Sequence, residues 1–217
     1  MAVYLHGGGW TVGSLDGIDP VCRALANRSG CAIVSVDYRL APEHKFPAPL
    51  HDCLDSVEYL ARHSAELGLD ASRIALIGDS AGGNLAASAA IAGRTGALPR
   101  IAGLVLAYPA VEYGVVRPSW TDYADGPLIT TADVEWFWRN YFRDDRDQAD
   151  PLAVPAAATS PPSTRCGTEP KHLPAACAKA AGKPQSSVTK AYSTVSSRRS
   201  AHSPRQCPKQ HTSSNRF

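Results

Sequence analysis

The stretch that decides the fold is Ile74-Ala75-Leu76-Ile77-Gly78-Asp79-Ser80-Ala81-Gly82-Gly83-Asn84. Four apolar residues read as a buried strand. The small, apolar run from Ala81 to Gly93 reads as a helix. Between them a sharp turn carries Ser80 in G-x-S-x-G spacing, the pattern of a nucleophile elbow. Gly78 and Gly82 have a mechanical reason to be there. A turn that thrusts a side chain out of a sheet crowds its own backbone against its neighbours, and residues without a Cβ relieve that crowding.

Reading outward, the chain alternates strands and helices. Val3-Tyr4-Leu5 is a short apolar strand running into the glycine-rich loop His6-Gly7-Gly8-Gly9-Trp10. Asp19-Pro20 predicts a helix start, with the helix ending near Ser29 at Gly30. Ala32 to Val36 is a continuous apolar strand of the kind found inside parallel sheets. Asp37 to Pro49 is a proline-rich connection. Leu50 to Glu66 has helical spacing. Ile101 to Tyr108 reads as another buried strand, and Thr130 to Phe142 as a helix opened by Thr130 and Asp133 in capping-box spacing. This order implies βαβ units in an α/β fold, a mostly parallel sheet with helices on both faces.

Charge divides the 217 residues into two parts. Residues 1–159 hold 12 Lys+Arg against 19 Asp+Glu, a net charge of −7. Residues 160–217 hold 10 Lys+Arg against one acid, Glu169, a net charge of +9. In the second part Leu, Ile and Val occur only as Leu173, Val188 and Val195. A segment so poor in apolar side chains cannot offset its ordering entropy, so a disordered tail is expected. With no aromatic stacking residues beyond Tyr192 and Phe217 and one arginine pair, Arg198-Arg199, the tail does not read as a nucleic-acid binder. No apolar run is long enough to cross a membrane, and Met1 to Gly7 lacks the form of a signal peptide. Six cysteines without metal-like or CxxC spacing are expected to be reduced thiols of a cytoplasmic protein.

His6-Gly7-Gly8-Gly9 supplies the second half of the chemistry. Ester hydrolysis passes through a tetrahedral oxyanion, and backbone N–H groups preset around it contribute roughly 3–4 kcal/mol for one donor. Such a loop directly after a strand, about 70 residues ahead of a G-D-S-A-G elbow, is a specific combination. With Asp37-Tyr38-Arg39-Leu40-Ala41-Pro42-Glu43 and Tyr108-Pro109, these motifs resemble the hormone-sensitive-lipase-like esterases over residues 2–159. The resemblance implies an α/β-hydrolase fold and carboxylic-ester hydrolysis of short- to medium-chain esters, without cofactor or metal. It implies Ser80 as nucleophile and the backbone N–H groups of Gly8, Gly9 and Ala81 as the oxyanion hole. His6, Gly7, Gly78, Asp79 and Gly82 belong to the motifs, Asp79 in a structural role. Asp37 to Glu43 looks like a brace under the site. Trp10, Trp136, Phe137, Trp138 and Tyr141 are candidates for an acyl pocket or for core packing.

The chain departs from that family at both ends. Its HGGG strand begins at residue 2, where the resemblance calls for two earlier strands and a cap. The triad order Ser…Asp/Glu…His places both partners of Ser80 downstream, yet His172, His202 and His211 lie in the polar tail with no following Gly-Phe. His44, His51 and His63 precede the serine. The fold is therefore expected to be incomplete and the chain nearly inactive for want of a base. Back-translation offers a reason. Read one base out of frame, Pro162 onward can encode an Asp across Ser163 and Thr164 and a His across Ser193 and Thr194, followed by Gly-Phe. The two lie about thirty codons apart, with an amphipathic helical pattern between them. The alternative function is a non-catalytic member of the fold that holds a small molecule in the same pocket.

Overall fold

A computed structural model describes residues 1–159 apart from 95 and 97. The readings made for 160–217, including disorder and the shifted frame, lie outside the described residues. Four strands form one sheet in the order β2-β1-β3-β4: β1 (Ala2–Leu5), β2 (Ile33–Val36), β3 (Ile74–Asp79) and β4 (Ile101–Ala107). Every pairing is parallel. The connections are helical: α1 (Leu15–Ser29), α2 (Ala48–His63) and α3 (Ala81–Gly93). After β4 come α4 (Pro118–Asp122) and α5 (Thr131–Tyr141), with short 3-10 turns at Asp145–Ala149 and Pro155–Thr159.

Strand alternation sorts the core into two layers. Val3, Leu5, Val34, Val36, Ile74 and Leu76 pack with α2 and α3 on one face, through Leu50, Val57, Leu60, Leu85 and Ala89. Ala2, Tyr4 and Ile33 pack on the other face with Cys22, Ile18 and Leu25 of α1. The chain leaves β1 toward β2 and leaves β3 toward β4, so its direction reverses between the adjacent strands β1 and β3. In open α/β sheets that switch point opens a crevice at the carboxyl ends of the strands. The glycine loop after β1 and the serine after β3 both stand there.

Three expectations are corrected. Helix α1 starts at Leu15, because Ser14 Oγ already accepts the Gly17 N–H at 3.2 Å and caps it. Asp19 is spent on an ion pair with Arg23, and Pro20 sits inside the helix. Helix α2 begins two residues earlier than read, after Pro47, and ends at His63. Strand β4 is not buried: among the described residues it pairs with β3 alone, and Leu104, Val105 and Leu106 are exposed. The capping box of α5 is as read, with Thr130 Oγ1 accepting from Asp133 N–H and the Asp133 carboxylate accepting from Thr130 N–H.

Candidate functional site

Ser80 occupies the turn between β3 and α3 at φ 50°, ψ −118°. A positive φ strains any residue with a Cβ and persists only where the surroundings over-determine it. They do so here. Ser80 N–H donates to Ala107 O at 2.9 Å, and Ser80 O accepts from Asn84 N–H at 3.0 Å and Ala110 N–H at 3.1 Å. Asn84, fully buried, donates its amide to Ala110 O and Ala153 O, tying the segments that follow β4 to the elbow helix. Ser80 is half-buried, and its hydroxyl makes no hydrogen bond with a described residue. Replacing it with glycine should relieve the strain and stabilise the fold by about 1 kcal/mol, the cost of one such φ less the entropy of a glycine. Urea unfolding of Ser80→Gly against the parent checks this; a loss of stability would mean that the turn is unstrained.

The elbow glycines close the approach of α3 to the sheet. A Cβ on Gly82 would stand 2.0 Å from Leu5 O, and one on Gly78 would stand 2.2 Å from Gly82 O. The N-terminus of α3 thus lies against the end of β1, beneath the glycine loop. Ala81 N–H, the first of the helix, donates to no described residue. At that end the helix carries partial positive charge, which favours an anion.

The glycine loop aims its donors by holding the opposite side of each peptide. In a trans peptide the C=O and N–H point in opposite directions. Gly7 O accepts from His6 Nδ1 at 2.7 Å, which fixes the peptide carrying the Gly8 N–H. Gly8 O accepts from Thr11 N–H at 3.0 Å and Val12 N–H at 2.9 Å, which fixes the peptide carrying the Gly9 N–H. Neither the Gly8 nor the Gly9 N–H is spent on a described residue. Both glycines have positive φ, 113° and 56°. A Cβ on Gly9 would lie 2.1 Å from the Phe137 ring, so α5 presses an aromatic side chain directly on the loop.

The brace read into Asp37–Glu43 is present. The Tyr38 ring stacks on His6 with centroids 4.3 Å apart, and its hydroxyl donates to His6 O at 2.6 Å. Burial, then the nearby Cys53 and Asp79, pushes the Tyr38 phenol well above its usual value, so it stays a donor. Ala41 N–H donates to Trp10 O, and Arg39 forks onto Asp52 of α2 with bonds of 2.8 Å. Asp79, beside Ser80, turns away from it to accept from Gly7 N–H and Tyr4 OH.

The aromatic candidates divide. Trp10, Trp138 and Tyr141 are core: Trp10 is 1% exposed, stacked on Tyr141 at 4.2 Å and tilted against Trp138 at 4.4 Å. They are corrected as pocket residues. Phe137 lies over Gly9, with Trp136, half exposed, against its edge. The sequence assigns Tyr4 only to a strand. The one signal for it was a hydroxyl in an otherwise apolar run. None of the described histidines bonds to Ser80. His6 is buried under Tyr38, His63 bonds Tyr59 O, and His44 and His51 are exposed.

Comparison with known proteins gives one consistent picture. A family model described as alpha/beta hydrolase fold matches residues 2–181. The ethyl acetate hydrolase of Pseudomonas putida is 41% identical over 156 residues, 70% of this chain and 48% of that protein. The carboxylesterase NlhH of Mycobacterium tuberculosis is 44% identical over 137 residues, 63% of this chain and 43% of that one. The crystallised esterase of Pyrobaculum calidifontis superposes with a TM-score of 0.67 at 49% identity, over 71% of this chain and 51% of that one. The chain spans about half the length of the curated relatives it matches. No helix among the described residues is long and apolar enough to cross a membrane.

Proposed function

Since the chain belongs to the α/β-hydrolase-fold family of hormone-sensitive-lipase-like proteins, we propose that its site is built for carboxylic-ester hydrolysis, with Ser80 as the nucleophile. The observation that carries this reading is Ser80 at φ 50° at the switch point of the sheet, where the N–H groups of Ala81, Gly8 and Gly9 are taken by no described residue. In the reaction the Ser80 oxygen adds to the ester carbonyl carbon while a base takes its proton. The carbonyl oxygen becomes the oxyanion and receives the Gly8, Gly9 and Ala81 N–H groups. The C–O bond to the alcohol breaks, the alcohol leaves with the proton, and water then releases the acid from Ser80.

The described residues supply no base. No described histidine is offered to Ser80, and the triad order puts acid and base after it. We read both in the shifted frame of residues 162 onward, so the chain as it stands forms the donor half of the site without the proton-transfer half. Short- to medium-chain esters, a reducing cytoplasmic setting and the absence of a nucleic-acid role belong to the same proposal. The free thiols of Cys31 and Cys53 suit that setting. The same want of a base favours a second reading, a small-molecule binder that does not turn its ligand over.

Phenylboronic acid separates these readings from an idle turn. Its boron accepts the Ser80 oxygen, whose proton passes to solvent, to give a tetrahedral anion resembling the intermediate, and analogues of this kind bind 10²-fold or more tighter than substrates. Titration should show binding that weakens about tenfold or more in Ser80→Ala. Equal affinity in parent and variant would overturn the nucleophile assignment. Binding of an uncharged ester that survives in Ser80→Ala, without product, would favour the binder.

A further inference from the structure

We propose that Asp79 is the positioning residue of the oxyanion loop, with Tyr4 holding Asp79 in turn. The role deepens the ester-hydrolase reading and rests on it for its chemistry, but its geometry stands apart.

Asp79 ends β3 on the side of the sheet that carries α1, one residue before Ser80. Its Oδ1 accepts twice, from Gly7 N–H at 3.0 Å and from Tyr4 OH at 2.9 Å. Its other oxygen, Oδ2, would lie 2.3 Å from a Cβ on Gly7, so the carboxylate occupies the space that a side chain would take. Gly7 is therefore gripped on both of its peptides: the first through its N–H by Asp79, the second through its C=O by His6. With both ends held, the Gly8 N–H has one direction left. Strand register makes this possible. Tyr4 pairs with Ile77 and Leu5 with Gly78, so the end of β3 overshoots β1 just far enough to set Asp79 beside Gly7. Tyr4 remains protonated, since burial and then the Asp79 bond push its phenol well above the usual range. A protonated phenol donates and keeps Asp79 in place. The elbow residue before the serine thus couples the two halves of the site, which are 72 residues apart in the chain.

Asp79→Leu keeps the branching at Cγ and removes the acceptor; Asp79→Asn keeps an oxygen able to receive both donors. The full chain is compared by amide exchange and by phenylboronate titration. In Asp79→Leu the amides of Thr11 and Val12, which touch Gly8 and not Asp79, should exchange about tenfold faster, while Leu85 and Leu60 in the core hold their rates. Boronate affinity should fall about tenfold or more. Asp79→Asn should restore both readouts to within about threefold of the parent. Should Asp79→Leu fail to fold, Tyr4→Phe, which removes one hydroxyl, should speed the same two amides. The proposal is overturned if Thr11 and Val12 exchange is unchanged in Asp79→Leu, if exchange rises uniformly across the fold, or if Asp79→Asn is as damaging as Asp79→Leu. A parent that binds no boronate yet shows the exchange pattern refutes the ester-hydrolase reading and leaves the brace standing.

Discussion

A single methyl group at Gly82 should cost the chain its folded state. Gly82→Ala places a Cβ 2.0 Å from Leu5 O and 2.5 Å from His6 O. Neither carbonyl can step aside. Leu5 is paired on both sides, to Val36 of β2 and Gly78 of β3, and His6 O receives the Tyr38 hydroxyl. Helix α3 would have to lift off β1, opening the layer that holds Leu85, Ala86 and Ala89. Overpacking against a flexible side chain costs about 1–3 kcal/mol. Against fixed backbone on a central strand we expect at least about 4 kcal/mol, a large part of the roughly 5–15 kcal/mol available to a domain. Gly103→Ala is the control, because a Cβ there meets nothing within 4 Å. Urea unfolding followed by circular dichroism should leave Gly103→Ala within about 0.5 kcal/mol of the parent and Gly82→Ala without a transition. A Gly82→Ala chain as stable as its parent would mean that α3 does not lie against β1 as described.

The second large effect concerns turnover. In a serine hydrolase, loss of the nucleophile or of the base alone costs about as much as loss of the whole triad, on the order of 10⁶ in kcat, because these members act as a unit. If no base serves Ser80, as proposed, the chain should hydrolyse a short p-nitrophenyl ester about 10⁶-fold more slowly than its full-length relatives. Ser80→Ala should change that residual rate by less than about tenfold, since what remains comes from the donors and from binding. The same substitution in an intact enzyme would be ruinous. Comparing the two serine variants under identical conditions checks the proposal. A Ser80→Ala loss of several orders of magnitude in this chain would show that Ser80 has a base after all, and the search would turn to where that base comes from.

Much of this was legible in sequence because local rules and global fold agree there. The elbow announces itself through glycines at fixed spacing after an apolar strand. Thr130 and Asp133 sit at the spacing that a capping box requires, and the box forms. The errors fall where one residue type has two uses. Asp19 could cap or pair, and with Ser14 already capping α1, it pairs. Trp10 follows a site motif but stacks on Tyr141 in the core, because a chain leaving the glycine loop dives straight under α5. An apolar run shows that a strand suits an interior, not that a neighbour covers it, and β4 is the instance. The pairing of Asp79 with Gly7 and Tyr4 was beyond reach, since it depends on how far β3 overshoots β1.

That uncovered strand sets how the molecule must be handled. On the side of β4 away from β3, the outward-facing peptide groups of this seven-residue strand pair with no strand among the described residues, and no charge or proline blunts that margin between Ile101 and Ala107. Such a margin is an open valence: it accepts any extended chain that drifts by, including a second molecule. Losses that grow with protein concentration during purification are to be read as a property of this border, and a clouded tube says nothing about whether the serine and its loop are correctly formed.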